Sequence, residues 1–147
     1  MKDSLYMKKA IEISKLGEFS TAPNPIVGCL IVNNDNIVGQ GWHEKYGENH
    51  AEINALKMAG HQAKGATAYI TLEPCNHFGK TPPCCKAIIQ SGIKRVVVSN
   101  VDPNPIVSGR GVSYLRKNGI IVTIGVMSKE SRNCNKGFFK RMQTGFP

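Results

Sequence analysis

The segment ATAYITLEPCNHFGKTPPCCKAIIQSGIKRVVVSN, residues 66–100, decides the fold. ATAYITL (66–72) has the β-branched and aromatic content of a strand. After Pro82-Pro83, CCKAIIQSG reads as a helix closed by Gly92. RVVVSN (95–100) is short and nearly all apolar, the pattern of a strand buried on both faces. Strand, helix and buried strand in this order argue for a sheet covered by helices.

Working outward, Tyr6, Met7, Ala10, Ile11, Ile13 and Leu16 recur at helical spacing before Gly17, so residues 4–16 read as an amphipathic helix. IVGCLIV (26–32) and IVGQGW (37–42) flank the turn-rich NNDN and form a hairpin. Asn49 can cap a helix running through Met58 and ended by Gly60. A helix over 111–118, the strand IIVTIGV (120–126) and a helix from Ser128 complete the series. The order α-β-β-α-β-α-β-α-β-α predicts an α/β fold: a three-layer α/β/α sandwich around a central mixed five-stranded sheet, one domain over 1–147.

A chain of 147 residues can bury roughly 68–70% of its unfolded surface and needs no disulfides to fold. Its five cysteines are an odd number, and MKDSLYMKKAIEISKLGEF lacks an apolar signal core, so a cytoplasmic chain with free thiols is expected. No apolar run approaches the ~18 residues of a membrane span, and no membrane partner is expected. Nineteen basic against ten acidic residues give a net charge of +9, which suits a phosphate-bearing partner. Part of the excess gathers at Lys129, Arg132, Lys136, Lys140 and Arg141, where a solvated face is the plainer alternative.

Within TLEPCNHFGKTPPCC (71–85) stand three cysteines and a histidine. A catalytic zinc takes three protein ligands and leaves a fourth position open, with Cys2His among its donor sets. Cys75 falls in a loop and Cys84 at a helix start, where the helix dipole is expected to lower its thiol pKa. The third candidate is His50, which opens the helix of NHAEINAL (49–56). Glu52 lies in the same first turn, and its carboxylate could take a proton from water and return it to a leaving amine. The alternative for Glu52 is a capping box with Asn49, in which the carboxylate only satisfies a backbone N–H.

His50-Ala51-Glu52 followed by Pro74-Cys75 resembles the zinc nucleobase deaminases, which carry H-x-E and P-C-x-x-C. Here eight residues, not two, separate Cys75 from Cys84. That loop, NHFGKTPPC, is similar to one branch of the superfamily, the riboflavin-pathway diaminohydroxyphosphoribosylaminopyrimidine deaminases. PNPIVGC (23–29), GWH (41–43), HAEINALKMAG (50–60), DPNPIVSGRG (102–111) and NKGFFKRMQTGFP (135–147) also match that branch, so the resemblance covers nearly the whole chain.

The resemblance implies a cytidine-deaminase-like fold and one Zn2+ per chain held by His50, Cys75 and Cys84, with Glu52 as the proton shuttle. It implies substrate contacts from Asn24, His43, Lys80, Asp102 and Asn104, and a phosphorylated diaminopyrimidine nucleotide as substrate, losing its 2-amino group as ammonia. The match falls on Cys84, directly after the prolines. Cys85 points about 100° away on a helix and is left as a buried small residue, with Cys29 and Cys134. His77 as a fourth ligand would close the site, and His61 belongs on the surface. Asn24, Asp102 and Asn104 adjoin prolines and could equally be turn residues.

Position 54 is Asn where many relatives carry His. Relatives usually continue into a reductase domain; the chain stops at Pro147, near where that domain would begin, so a stand-alone or truncated deaminase without reductase activity is expected, and a separate reductase is a candidate partner. Superfamily precedent implies a homodimer or higher homo-oligomer. Two rivals stand beside this reading: a nucleoside or tRNA deaminase, which the long TPPC loop argues against, and a structural zinc module with four protein ligands.

Overall fold

The computed structural model describes residues 2–17, 25–44, 50–75, 84–136 and 139–140. Helix α1 spans Lys2–Ser14 and tightens into a 3-10 turn over Lys15–Gly17. Strands β1 (Gly28–Asn33) and β2 (Asn36–Trp42) form the hairpin. Asn34 and Asp35 both take positive φ, 50° and 64°, the backbone of a two-residue turn whose twist matches that of the strands. Then follow α2 (Ala51–Ala59), β3 (Thr67–Ile70), α3 (Cys84–Gln90), β4 (Arg95–Val98), α4 (Arg110–Lys117), β5 (Ile121–Ile124) and α5 (Ser128–Asn133).

The five strands form one sheet in the order β2-β1-β3-β4-β5. β1 pairs antiparallel with β2 and β3, while β3, β4 and β5 run parallel, so the sheet is mixed as expected. Alternation along the strands sends side chains to opposite faces. Leu30, Val32, Tyr69 and Val97 meet Tyr6, Met7, Ala10 and Ile11 of α1. On the other face Cys29, Ile31, Ala68, Ile70, Val96 and Val98 pack under α2, α3 and α4. Two filled faces explain why RVVV has no polar alternation.

Two features of this packing position the site. The face of α2 turned to the sheet is built of Ala51, Ala55 and Ala59, all buried, against Gly39 and Gly41 of β2. A Cβ on Gly41 would lie 2.5 Å from the Ala51 carbonyl oxygen and 2.6 Å from the Ala55 nitrogen, so the helix rests on the strand backbone with no side chain between. The second feature is the far anchor. The Arg95 guanidinium donates to both Asp3 carboxylate oxygens, at 2.9 and 2.7 Å, and Tyr69 Oη donates to Asp3 Oδ1 at 2.7 Å. This ties the start of α1 to the start of β4, away from the strand ends that carry the chemistry. Among the described residues no helix is long and apolar enough to cross a membrane.

Candidate active site

The start of α2, the segment after β3 and the start of α3 meet beyond the C-terminal ends of the parallel strands, where open α/β sheets place ligands. β3 stops at Ile70 because the next residues leave the ladder. Thr71 accepts the Gly28 N–H on Oγ1 at 3.1 Å, and its carbonyl accepts the Ser131 hydroxyl at 2.9 Å. The chain is thereby turned toward Cys75. The Cys75 carbonyl accepts the Cys85 N–H at 3.0 Å, which seats the start of α3 against the same segment.

His50 Nδ1 lies 3.2 Å from Cys84 Sγ and 3.8 Å from Cys75 Sγ, and the donor atoms of the three residues all fall within 4.8 Å of one another. Donors around a tetrahedral zinc with bonds of about 2.0–2.3 Å are spaced by about 3.5–3.8 Å. The three residues therefore fit the ion, and a borderline-soft nitrogen and sulfur set is what zinc takes.

The sulfur electrostatics correct one expectation. Cys84 heads α3, but its backbone N–H donates to Cys75 Sγ at 3.3 Å. The Cys84 thiol hydrogen bond, with that N–H and the His50 ring in support, holds Cys75 well below the usual thiol range. Cys84, as donor to that sulfur and buried besides, is pushed up. The thiol favoured at the helix start is thus the one reaching in from the loop. Contact with Cys75, opposed by burial, raises the His50 pKa.

His50 is the N-cap residue of α2, with no side-chain cap bond, because its ring faces the sulfurs. Glu52 is then the second helical residue, one position short of the capping-box place, and Asn49 lies outside the described residues. The Glu52 carboxyl is 4% exposed and lies against the Cys84 thiol. Burial first, then the Cys75 charge, raise its pKa to about 7. A buried carboxyl that exchanges its proton near neutrality is equipped for general acid and base work.

His43 is buried, its ring edge-on to that of His50 with centroids 5.3 Å apart. Asn54, at the position expected to vary, donates from Nδ2 to the Trp42 carbonyl at 2.9 Å and clips α2 to the end of β2. Cys85 stays out of the donor group: it is fully buried and its Sγ donates to the Pro74 carbonyl at 3.4 Å. Cys29 is buried as expected, whereas Cys134 is half-buried at the edge of the α1 cluster. His61 is exposed.

A cavity of about 120 Å³ opens beside Cys75, with Asp102, Val107 and Arg110 among its walls. Asp102 Oδ1 accepts the Asn104 N–H and Asn104 Oδ1 accepts the Ile106 N–H, at 2.9 and 3.0 Å. Both side chains therefore shape the turn, and Asp102 also faces the cavity. Asn24, Lys80 and His77 lie outside the described residues. Arg132 of the late basic cluster sits 5.7 Å over the Phe139 ring, which gives one of those charges a packing role.

Two residues, one beside and one within the matched motifs, were given no role by the sequence. Glu73 accepts three backbone N–H groups across the site. Asn135 binds the backbone of Ile26 reciprocally, at 2.9 Å in both directions, and so fixes the chain just after Asn24-Pro25. The signal for Glu73 was its place directly before Pro-Cys. Asn135 opens NKGFF, but nothing local marks its partner.

Hydrolytic deaminases that act on ring amidines through zinc join one histidine and two cysteines to a carboxylate outside the donor set, and that is the class this sheet and this site define. The chain belongs to the cytidine and deoxycytidylate deaminase family, whose zinc-binding-region model matches residues 1–100. It is 75% identical over its full length, and over the full length of the relative, to the diaminohydroxyphosphoribosylamino-pyrimidine deaminase of Buchnera aphidicola subsp. Schizaphis graminum. It is 56% identical to the riboflavin biosynthesis protein RibD of Escherichia coli K12, of which it spans 40%. Among solved structures, RibD of Acinetobacter baumannii superposes with a TM-score of 0.96 at 51% identity, over 99% of this chain and 41% of that one. The dCMP deaminase of cyanophage S-TIM5 gives 0.64 at 27% identity, over 84% of this chain and 96% of that one.

Proposed function

We propose that this chain hydrolyses the 2-amino group from 2,5-diamino-6-(5-phosphoribosylamino)pyrimidin-4(3H)-one, releasing ammonia, as a step of riboflavin biosynthesis. The observation that carries this reading is the meeting of one imidazole, two sulfurs and a buried carboxyl at one point, in a chain alike from end to end to a deaminase so named.

His50 Nδ1 and the sulfurs of Cys75 and Cys84 would hold the zinc, which when bound supplies a Lewis acid and lowers the pKa of water from 15.7 to about 7. Glu52 takes a proton from the attacking water, delivers it to a ring nitrogen and then moves a proton to the departing amine. Its raised pKa reflects burial and the nearby sulfur charge; a divalent cation works in the opposite direction and favours the proton-accepting form. His43 backs the His50 ring. Asp102 meets the substrate from the cavity wall while Asn104 holds the turn behind it, and Asn24 and Lys80 complete the contacts, Lys80 toward the phosphate. A cytoplasmic homo-oligomer belongs to the same proposal.

The test is ammonia release from the phosphorylated diaminopyrimidine by zinc-loaded protein and its Glu52→Gln variant. Turnover is expected to fall by about 10²–10⁴-fold with zinc content unchanged. Full turnover by that variant with the metal still bound would sink the assignment.

A further inference from the structure

Glu73 neither holds metal nor moves a proton in this scheme, yet it is 7% exposed and heavily engaged. Oε1 accepts the N–H groups of Asp102 and Gly109, and Oε2 accepts that of Val112, each at 2.9 Å. Its own N–H donates to the Asn100 carbonyl at 2.8 Å. The donors arrive from 29, 36 and 39 residues away, in the turns after β4 and the first turn of α4. That segment is pressed against the residues leading to Cys75: a Cβ on Gly111 would collide with the Pro74 carbonyl oxygen, and Cys85 Sγ bridges the Pro74 and Gly111 carbonyls at 3.4 and 3.7 Å. One carboxylate therefore links the segment carrying Cys75 to the wall carrying Asp102 and Arg110.

We propose that Glu73 is a positioning residue for deamination: it fixes the 102–112 segment as the cavity wall beside Cys75, and so governs substrate binding more than the proton transfers. The inference rests on the function proposed above. Three N–H donors at the start of a helix require an acceptor with no hydrogen of its own, and they favour a negative one. Glutamine would turn an amide N–H against at least one of those donors. Aspartate keeps the charge but is one methylene short of reaching all three.

The experiment uses the full chain loaded with zinc. Glu73→Gln is expected to raise KM for the phosphorylated diaminopyrimidine about ten-fold, with kcat within about three-fold of the parent and zinc stoichiometric. Without substrate, amide exchange should accelerate selectively at Asp102, Gly109 and Val112. Asp3→Asn, on α1 and paired with Arg95 at the start of β4, is the control that loosens the fold with neither effect. An unchanged KM beside faster exchange would reduce Glu73 to an ordinary helix cap and overturn the proposal. A fall in kcat or in zinc content at constant KM would overturn it as well. Should Glu73→Gln fail to fold, Glu73→Asp carries the same measurements and expectations. If the parent itself releases no ammonia from this substrate, the functional reading falls. Binding of the same nucleotide to the parent and to Glu73→Gln, measured by calorimetry, then decides: binding about ten-fold weaker in the variant supports the positioning role, and equal binding overturns it.

Discussion

Gly41→Ala tests how the fold transmits to the chemistry. The added methyl carbon would sit 2.5 Å from the Ala51 carbonyl oxygen, 2.6 Å from the Ala55 nitrogen and 2.8 Å from the Asn54 Cβ. None of these is the far end of a flexible side chain. To bring 2.5 Å back to an ordinary 3.4 Å contact, α2 must retreat from β2 by about 0.9 Å. That movement carries His50 and Glu52 away from Cys75 and Cys84, which sit on other elements. Overpacking of this kind costs about 1–3 kcal/mol, which for a domain of this size lowers Tm by about 2–10 °C. Displacing a catalytic group by about 1 Å costs up to about 100-fold in rate, so kcat/KM should fall by about 10–100-fold and zinc should be lost at lower chelator concentration. The assay pairs thermal melting with ammonia release, and Asp3→Asn serves as a variant that loses stability but not turnover. Wild-type melting and wild-type turnover in Gly41→Ala would mean that α2 has slack over β2, and the account of how the sheet sets the site would be wrong.

Cys84→Ala should abolish stoichiometric zinc and turnover together, whereas Cys85→Ala should keep both and lose about 1 kcal/mol of stability from a small buried void; metal analysis of the two purified variants separates them. The Asp3 carboxyl is held below its ordinary value of 3.8, first by the Arg95 hydrogen bonds, so its contribution is fully present above that value and is lost as pH falls through the lower folded pKa. With side chains 26% and 30% exposed, the bidentate pair contributes about 1 kcal/mol. Denaturant titrations of wild type and Asp3→Asn should therefore differ by that amount at pH 6 and converge at acid pH; a constant difference down to pH 2 would contradict the assignment.

The elements were legible because each burial pattern has one period: RVVV could only be a strand with both faces covered, and the α1 stripe could only be a helix lying on one face. Their ends were less so. The strand expected over 66–72 closes at Ile70, since Thr71 exchanges ladder pairing for bonds to Gly28 and Ser131, partners set 43 and 60 positions away. The candidate metal donors were legible for a different reason: a nitrogen and sulfur set of this kind comes only from histidine and cysteine, so residue type pointed to the cluster that the structure brings within 4.8 Å. What the sequence concealed is the electrostatic division between the two sulfurs. The helix start at Cys84 leads the sequence to suggest a lowered Cys84 pKa, but the N–H of that turn donates to Cys75.

That division follows from how the helix is used. At the start of α3 the Cys84 amide faces the sulfur of Cys75, a residue delivered from a separate segment, and helps to stabilise charge there. The restraints on the Cys75 segment are the Glu73 backbone bond to Asn100, the Pro74 contact with α4 and the Cys85 N–H of α3. None of these groups is a ligand, and each belongs to a residue that a local reading would leave as filler. The donor set can be recognised from residue type alone; its geometry depends on the carboxylate and glycine beside it, whose partners are defined only once the sheet has formed.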